Sequence, residues 1–511
     1  MQGDLADRFA RLKEKVLVKR PVLDEILKKR GSKKLLEYSH DYVDVNLPPT
    51  IPRRQNEFLG VVAEVVESRF DKKLADSVVN QLKKYYFVST ADHDGPITHP
   101  FFLNSNLLTA AAMADHSDPA IQNVIVLACA NISVDNSSFP RGLFFHNVRE
   151  GKLQTHRMSF FSANTRPPAV YTLPPYTKVE VEKILKELKI KLDKGEIGAM
   201  EHEKMTQLMQ EVYDQPEVYN SASYMEQISK TNFKLWPRLF ATSKVKLPNL
   251  VYLELEDIVV RLLIKHHLYE HTILNHILFD LTYEPYINQY FEGIFGSFSR
   301  ADESGTYLFW ALPKGSKRNL QLWRKGNFLV SKDESYKIEL KPEIIQKAME
   351  EKELIPSLLL AFATVSFYYG VKCLGGFNQV NYLTHMKNGY IKMNVDIGNY
   401  RSIEVCARAQ TKEICDGLTF AFMEYGDHEV GLASGPDLIL YGKEDSWQRL
   451  VDSAKQITFE EALTPLMPEM YKISYDKKEW EPELESITEK ELSEMIGLHD
   501  KAEPCIEIPK D

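Results

Sequence analysis

At 511 residues and 44% hydrophobic, the chain is too long for one small domain and apolar enough to bury a large core, so two to four packed units are predicted. Charged residues at 26% and aromatics at 11% exclude an intrinsically disordered chain, and a net charge of −9 spread along the sequence gives no electrostatic basis for a nucleic-acid partner. The five cysteines, Cys129, Cys373, Cys406, Cys415 and Cys505, include no CxxC pair and fit free thiols in a reducing compartment, so a cytoplasmic setting is expected.

The N-terminal stretch "MQGDLADRFARLKEK" has a charged helical pattern without the apolar core of a signal peptide. Residues 1–50 read as a helical arm that ends in "NLPPTIPRR" (Asn46–Arg54). An α/β segment follows over 51–173. Within it, "YYFVST" (Tyr85–Thr90) and "NVIVLACANISV" (Asn123–Val134) are apolar runs without polar alternation, the pattern of strands buried on both faces. "FFLNSNLLTAAAMAD" between them is helical in composition, and "RGLFFHN" and "KLQTHRMSFFSA" read as further strands.

A helical hairpin is predicted over 174–216, with Thr177 and Glu180 forming a capping box. Its two stripes are Val181, Ile184, Leu188 and Leu192, and Ile197, Met200, Met205, Leu208 and Val212. Residues 217–300 read as helical and 301–445 as mixed. Within the latter, Thr306–Ser331 has the pattern of a β-meander turning at "KGSKRN" and "RKGN". "LIPSLLLAFATVSFYYGV" (Leu354–Val371) is uncharged over the shortest length that can span a bilayer. Its Pro356, Ser357, Thr364 and Ser366 favour a buried core helix, so no membrane partner is expected. Residues 446–511 form an acidic C-terminal segment. The resulting fold class is mixed α/β: a central, mostly buried sheet with surrounding helices, a projecting helical hairpin and an additional β-meander.

Polar residues crowd after each of the first two predicted strands, where ligands bind in open α/β sheets. "STADHDGPITHPFFLNSN" (Ser89–Asn106) gathers Asp92, His93, Asp94 and His99, a donor set suited to zinc, manganese or iron. A polar turn that closes a strand and caps the next helix would use the same residues. Asn104 and Asn106 stand where they could orient ligands or substrate. After the second strand come Asn131, Asp135, Arg141 and His146, then His156, Arg157 and Arg166; the arginines suit an anionic group and the histidines a general base. Taken singly, these residues also fit an Asx-type turn and a solvated surface.

Further along, His267, Glu270 and His271 form an HxxEH whose spacing is similar to that of the inverted zinc-peptidase motif. The similarity covers five residues, and no downstream Glu stands out as a third ligand, so the chain is not assigned to that family. His276 and Asp280 have the HxxxD spacing of acyl-transfer enzymes without the usual following glycine. Cys373 ahead of Gly375-Gly376 is a candidate thiolate, though a buried small hydrophobe fits it better. Lys317 and Arg318, in a predicted turn near Trp310, read as solvated charge.

The expected activity is metal-dependent hydrolysis of a small anionic substrate. A divalent metal on Asp92, His93 and His99 would activate water, Asp94, Asp135 or His146 would move protons, and Asn104, Asn106, Asn131, Arg141 and Arg157 would hold the substrate. The alternatives are a metal-free acyl or group transferase with histidine as general base, and a non-catalytic scaffold binding a partner through the 177–213 hairpin. A homodimer is compatible with that hairpin.

Overall fold

The computed structural model describes residues 2–43, 51–116, 118–165, 169–316, 318–426 and 429–509. The first half of the predicted Asn46–Arg54 loop, Arg166 and Lys317 fall outside them.

The fold is mixed α/β around a parallel sheet of four strands, β1 (Phe87–Ser89), β2 (Asn123–Ala128), β3 (Asn249–Glu254) and β4 (Lys372–Leu374), in the order β4-β1-β2-β3. Val88 lies beside Cys373, Ser89 beside Val126, and Asn123–Ala128 runs in register with Asn249–Glu254. Because side chains alternate along a strand, the sheet feeds two cores. Phe87, Val124, Val126, Leu250, Tyr252 and Leu374 join one core. Val88, Ile125, Leu127, Val251, Leu253 and Cys373 join the other. Burial on both faces is why the first two strands carry no polar alternation.

β3 stands inside the segment read from sequence as helical. "NLVYLE" is a short apolar run, and at that length periodicity does not separate strand from helix. It is followed at once by the Leu255–His266 helix, then by shorter ones at Ile273–Phe279 and Glu284–Phe291. The Pro100–Asp115 helix is buried continuously from Phe102 to Met113.

The helical hairpin forms as Lys178–Asp193 and Ala199–Leu208, with the Thr177–Glu180 capping box present. Its inner stripe, including Val181, Ile184, Leu188 and Met205, lies in the first core. The meander belongs to a five-stranded antiparallel sheet in the spatial order Lys337–Glu339, Phe328–Ser331, Leu320–Lys325, Phe309–Ala311, Leu354–Pro356. The uncharged segment is buried, as its composition requires, but it is not one helix. Leu354–Pro356 pairs in that sheet, Ser357 caps a short helix at Leu358–Phe362, and Ala363–Tyr368 widens into a π-turn. Among the described residues no helix is long and apolar enough to cross a membrane. The N-terminal helix Gln2–Lys19 packs on the acidic C-terminal segment: Leu12 and Val16 are fully buried, and Arg11 pairs with Glu481 at 2.7 Å and Glu483 at 3.0 Å.

Candidate functional site

Beyond β1 the chain does not leave the sheet at once. The Cys129 amide donates to the Asp92 carbonyl (2.8 Å) and the Asp94 amide to the Cys129 carbonyl (2.9 Å), so His93 pairs with Cys129 as a short continuation of the parallel ladder. Strand alternation then separates the expected metal ligands. Asp92 and Asp94 turn into the protein, at 0% and 1% exposure, and His93 turns to the open side. Asp92 accepts from Asn106 Nδ2 (2.8 Å), and its other oxygen has no hydrogen-bond partner. Burial pushes the pKa of both carboxyls well above the usual range, helped at Asp92 by Asp416 and at Asp94 by Glu254.

His93 stands between two cavities, of 530 and 420 Å³, at the carboxyl edge of the sheet; Cys129 and Leu358 also line both. Its protonation is fixed by a chain of contacts. Asn136 Oδ1 accepts from the Ser138 amide (3.1 Å) and hydroxyl (2.8 Å), so it also acts as acceptor toward His93 Nδ1 at 3.0 Å. The proton therefore sits on Nδ1, and Nε2 carries a free lone pair. His99 is set the opposite way: as N-cap of the Pro100–Asp115 helix its Nδ1 accepts from the Phe101 amide at 3.4 Å, which leaves Nε2 as donor. Burial pushes both imidazoles down, His99 to about 4, so both are neutral at pH 7.

The larger cavity lies between the loop after β2 and the meander. Glu256, just beyond β3, accepts from the amides of Ala130 (2.9 Å) and Asn131 (3.0 Å) and so fixes the end of β2. Asn319 of the meander turn donates to Asn131 Oδ1 at 2.8 Å, and its own buried Oδ1 has no partner. Trp310 and the exposed Arg318 complete this wall. The Cys129 thiol is held protonated by burial and by the adjoining Glu256.

The smaller cavity lies between β1 and β4. Gln379 donates to Thr90 Oγ1 (2.6 Å) on its floor. Asp416, pushed up to about 7 by burial and by Glu469, joins Phe101, Phe102, Phe377 and Tyr382 around it.

Asn131 and Asp135 line the larger cavity, but Asp135 is already paired with Arg141. All three guanidinium nitrogens of Arg141 donate within the protein, to Asp135 and to the carbonyls of Ser162 and Thr165, so this arginine is committed to holding a loop. Arg157 is exposed on the Gly142–Arg149/Lys152–Ser159 hairpin, its guanidinium 5.2 Å from the Phe139 ring centre. His146 is buried on the same hairpin, with Nδ1 2.6 Å from Asp437 Oδ2, and lines neither cavity. His156 lies beside Asn147 (2.9 Å) and stacks on Phe145. Asn104 accepts from the amides of Phe420 and Ala421, and Asn106 bonds Asp92 and the Phe102 carbonyl; both are fully buried ties.

The HxxEH does not form one helical face, because the helix ends at His266. Both ring nitrogens of His267 are used, by Thr272 and Tyr369 at 2.9 Å each, and Glu270 pairs with Arg53. Cys373 is buried within β4, and burial pushes its thiol up to about 12. Among the described residues no three His, Cys, Asp or Glu side chains gather as a metal-ligand set.

Glu256, Asn319, Asp416 and Gln379 carry no local motif. The nearest signal is "YLELED", acidic residues placed directly at the end of an apolar run. No family model matches this chain, and no curated protein matches it.

Proposed function

We propose that the chain is an enzyme that hydrolyses a small anionic substrate in the cleft at the carboxyl edge of the sheet, with His93 as general base. The observation that carries this reading is the His93 Nε2 lone pair in the wall shared by both cavities, with the proton pinned on Nδ1 by Asn136. A neutral imidazole so fixed takes a proton from water as the water oxygen attacks an acyl or phosphoryl centre. The His99 Nε2–H supplies a hydrogen bond to the developing negative charge. Among the described residues the Arg318 guanidinium has no carboxylate partner, so it is the group left to hold the anion. Replacing water by an acceptor hydroxyl turns the same arrangement into a transferase. A zinc, manganese or iron ion would have to rest on His93 and His99 without the inward-facing Asp92 and Asp94.

Untagged protein assayed on a panel of carboxylate- and phosphate-bearing nitrophenyl esters tests the reading. His93→Gln is expected to lower kcat roughly a hundredfold or more, while Arg318→Gln raises KM with kcat little changed. Equal turnover by wild type and His93→Gln would sink it. Elemental analysis of the same preparation separates the two chemistries: stoichiometric metal lost in His93→Gln favours metal-activated water, and its absence with turnover intact favours the imidazole alone.

A further inference from the structure

The two cavities that meet at His93 differ in charge. In the larger one, the acidic groups Asp135 and Glu256 are occupied by Arg141 and by backbone amides, which leaves Arg318 as the unpaired charge. In the smaller one the acidic groups are Asp416 and, toward solvent, Glu469; no lysine or arginine lines it. Its walls carry the rings of Phe101, Phe102, Phe377 and Tyr382. Aromatic faces and carboxylates together are the surroundings that favour an organic cation over an anion or a neutral group.

Two further observations point the same way. Asp416 Oδ1 is shut off from solvent and has no hydrogen-bond partner, so it lacks a donor. The backbone opposite is Gly376, where a Cβ would come within 3.1 Å of Asp416 Oδ2, so a side chain there would press on the carboxylate.

We infer that the cleft takes a bipartite ligand, with an anionic group at Arg318 and an organic ammonium group among the aromatic rings at Asp416 and Glu469, and with His93 between the two. This rests on the assignment of the cleft as the substrate site and narrows the substrate class to zwitterionic molecules.

Calorimetric titration of the full chain with benzylammonium, benzyl alcohol and benzoate tests the ammonium half without needing turnover. Its outcome is therefore independent of the His93 kinetics. Benzylammonium is expected to bind roughly tenfold more tightly than benzyl alcohol, and Asp416→Asn is expected to remove roughly that factor while Arg318→Gln leaves it in place. Should Asp416→Asn melt early, Glu469→Gln at the mouth serves as the second variant, with an expected loss of about threefold. For 6-aminohexanoate, affinity is expected to fall in both Asp416→Asn and Arg318→Gln. Benzyl alcohol binding as well as benzylammonium, no binding of benzylammonium at millimolar concentration, or unchanged binding in both carboxylate variants would each overturn the inference.

Discussion

At His93 the decisive contact is a hydrogen bond to a group outside the cavity. Asn136 Oδ1 gathers three donors, two from Ser138 and one from His93, so the imidazole has one tautomer available. Asn136→Ala is expected to lower kcat about tenfold with KM nearly unchanged, because the base is released from its tautomer while the cavity keeps its shape. Steady-state kinetics on the ester panel checks this. His267 offers a test away from the site. Burial lowers its pKa to about 3, so its neutral, doubly hydrogen-bonded ring contributes stability that is complete above the unfolded value near 6.5. That contribution is lost as pH falls from about 6.5 toward 3. The melting-temperature gap between wild type and His267→Gln is therefore expected to be widest at pH 7 and to narrow steadily by pH 4. At this scale the sequence shows which residues are polar and crowded. It does not show that alternation past β1 sends Asp92 and Asp94 inward and His93 outward, because that depends on pairing with Cys129, 36 positions away in the chain.

Among elements, the junction of β2 with β3 is fixed by one carboxylate. Glu256 bridges two amides at the point where β2 ends, and a buried amide deprived of its acceptor is costly. Glu256→Ala is expected to destabilise the protein by about 2–4 kcal/mol, more than Glu256→Gln, which keeps one acceptor. Thermal unfolding of the two variants side by side measures the difference. Both strands flanking the first pair were hidden in sequence for the same reason. "NLVYLE" and "KCL" are too short to show a period, and their strand character comes from the neighbours already in the sheet. The helical hairpin, by contrast, is visible residue by residue, since its capping box and its stripe are local properties of the chain.

Over the whole molecule, the parallel sheet is the wall between two cores, and the chain ends meet in one of them. The contact between the N-terminal helix and the acidic C-terminal segment contains several ion pairs, but those of Arg11 are exposed, and such pairs contribute about 0–1 kcal/mol each. Leu12, buried completely beneath them, is expected to matter more: Leu12→Ala should cost about 2–5 kcal/mol. Arg11→Glu is expected to change the melting temperature little. Proteolysis of the C-terminal segment, fast in Leu12→Ala and slow in Arg11→Glu, would show which force holds the ends together.

The meander turn that carries Arg318 reaches the sheet through the Asn319–Asn131 hydrogen bond at 2.8 Å. Asn131 lies just beyond β2, so this bond ties the meander to the sheet edge. A molecule held by Arg318 on one side and by the sheet edge on the other would act as a strut between two layers. Part of the binding energy would then go into order rather than affinity. Its trace would be slowed deuterium uptake across Arg318–Leu320, some distance along the chain from any atom that reacts.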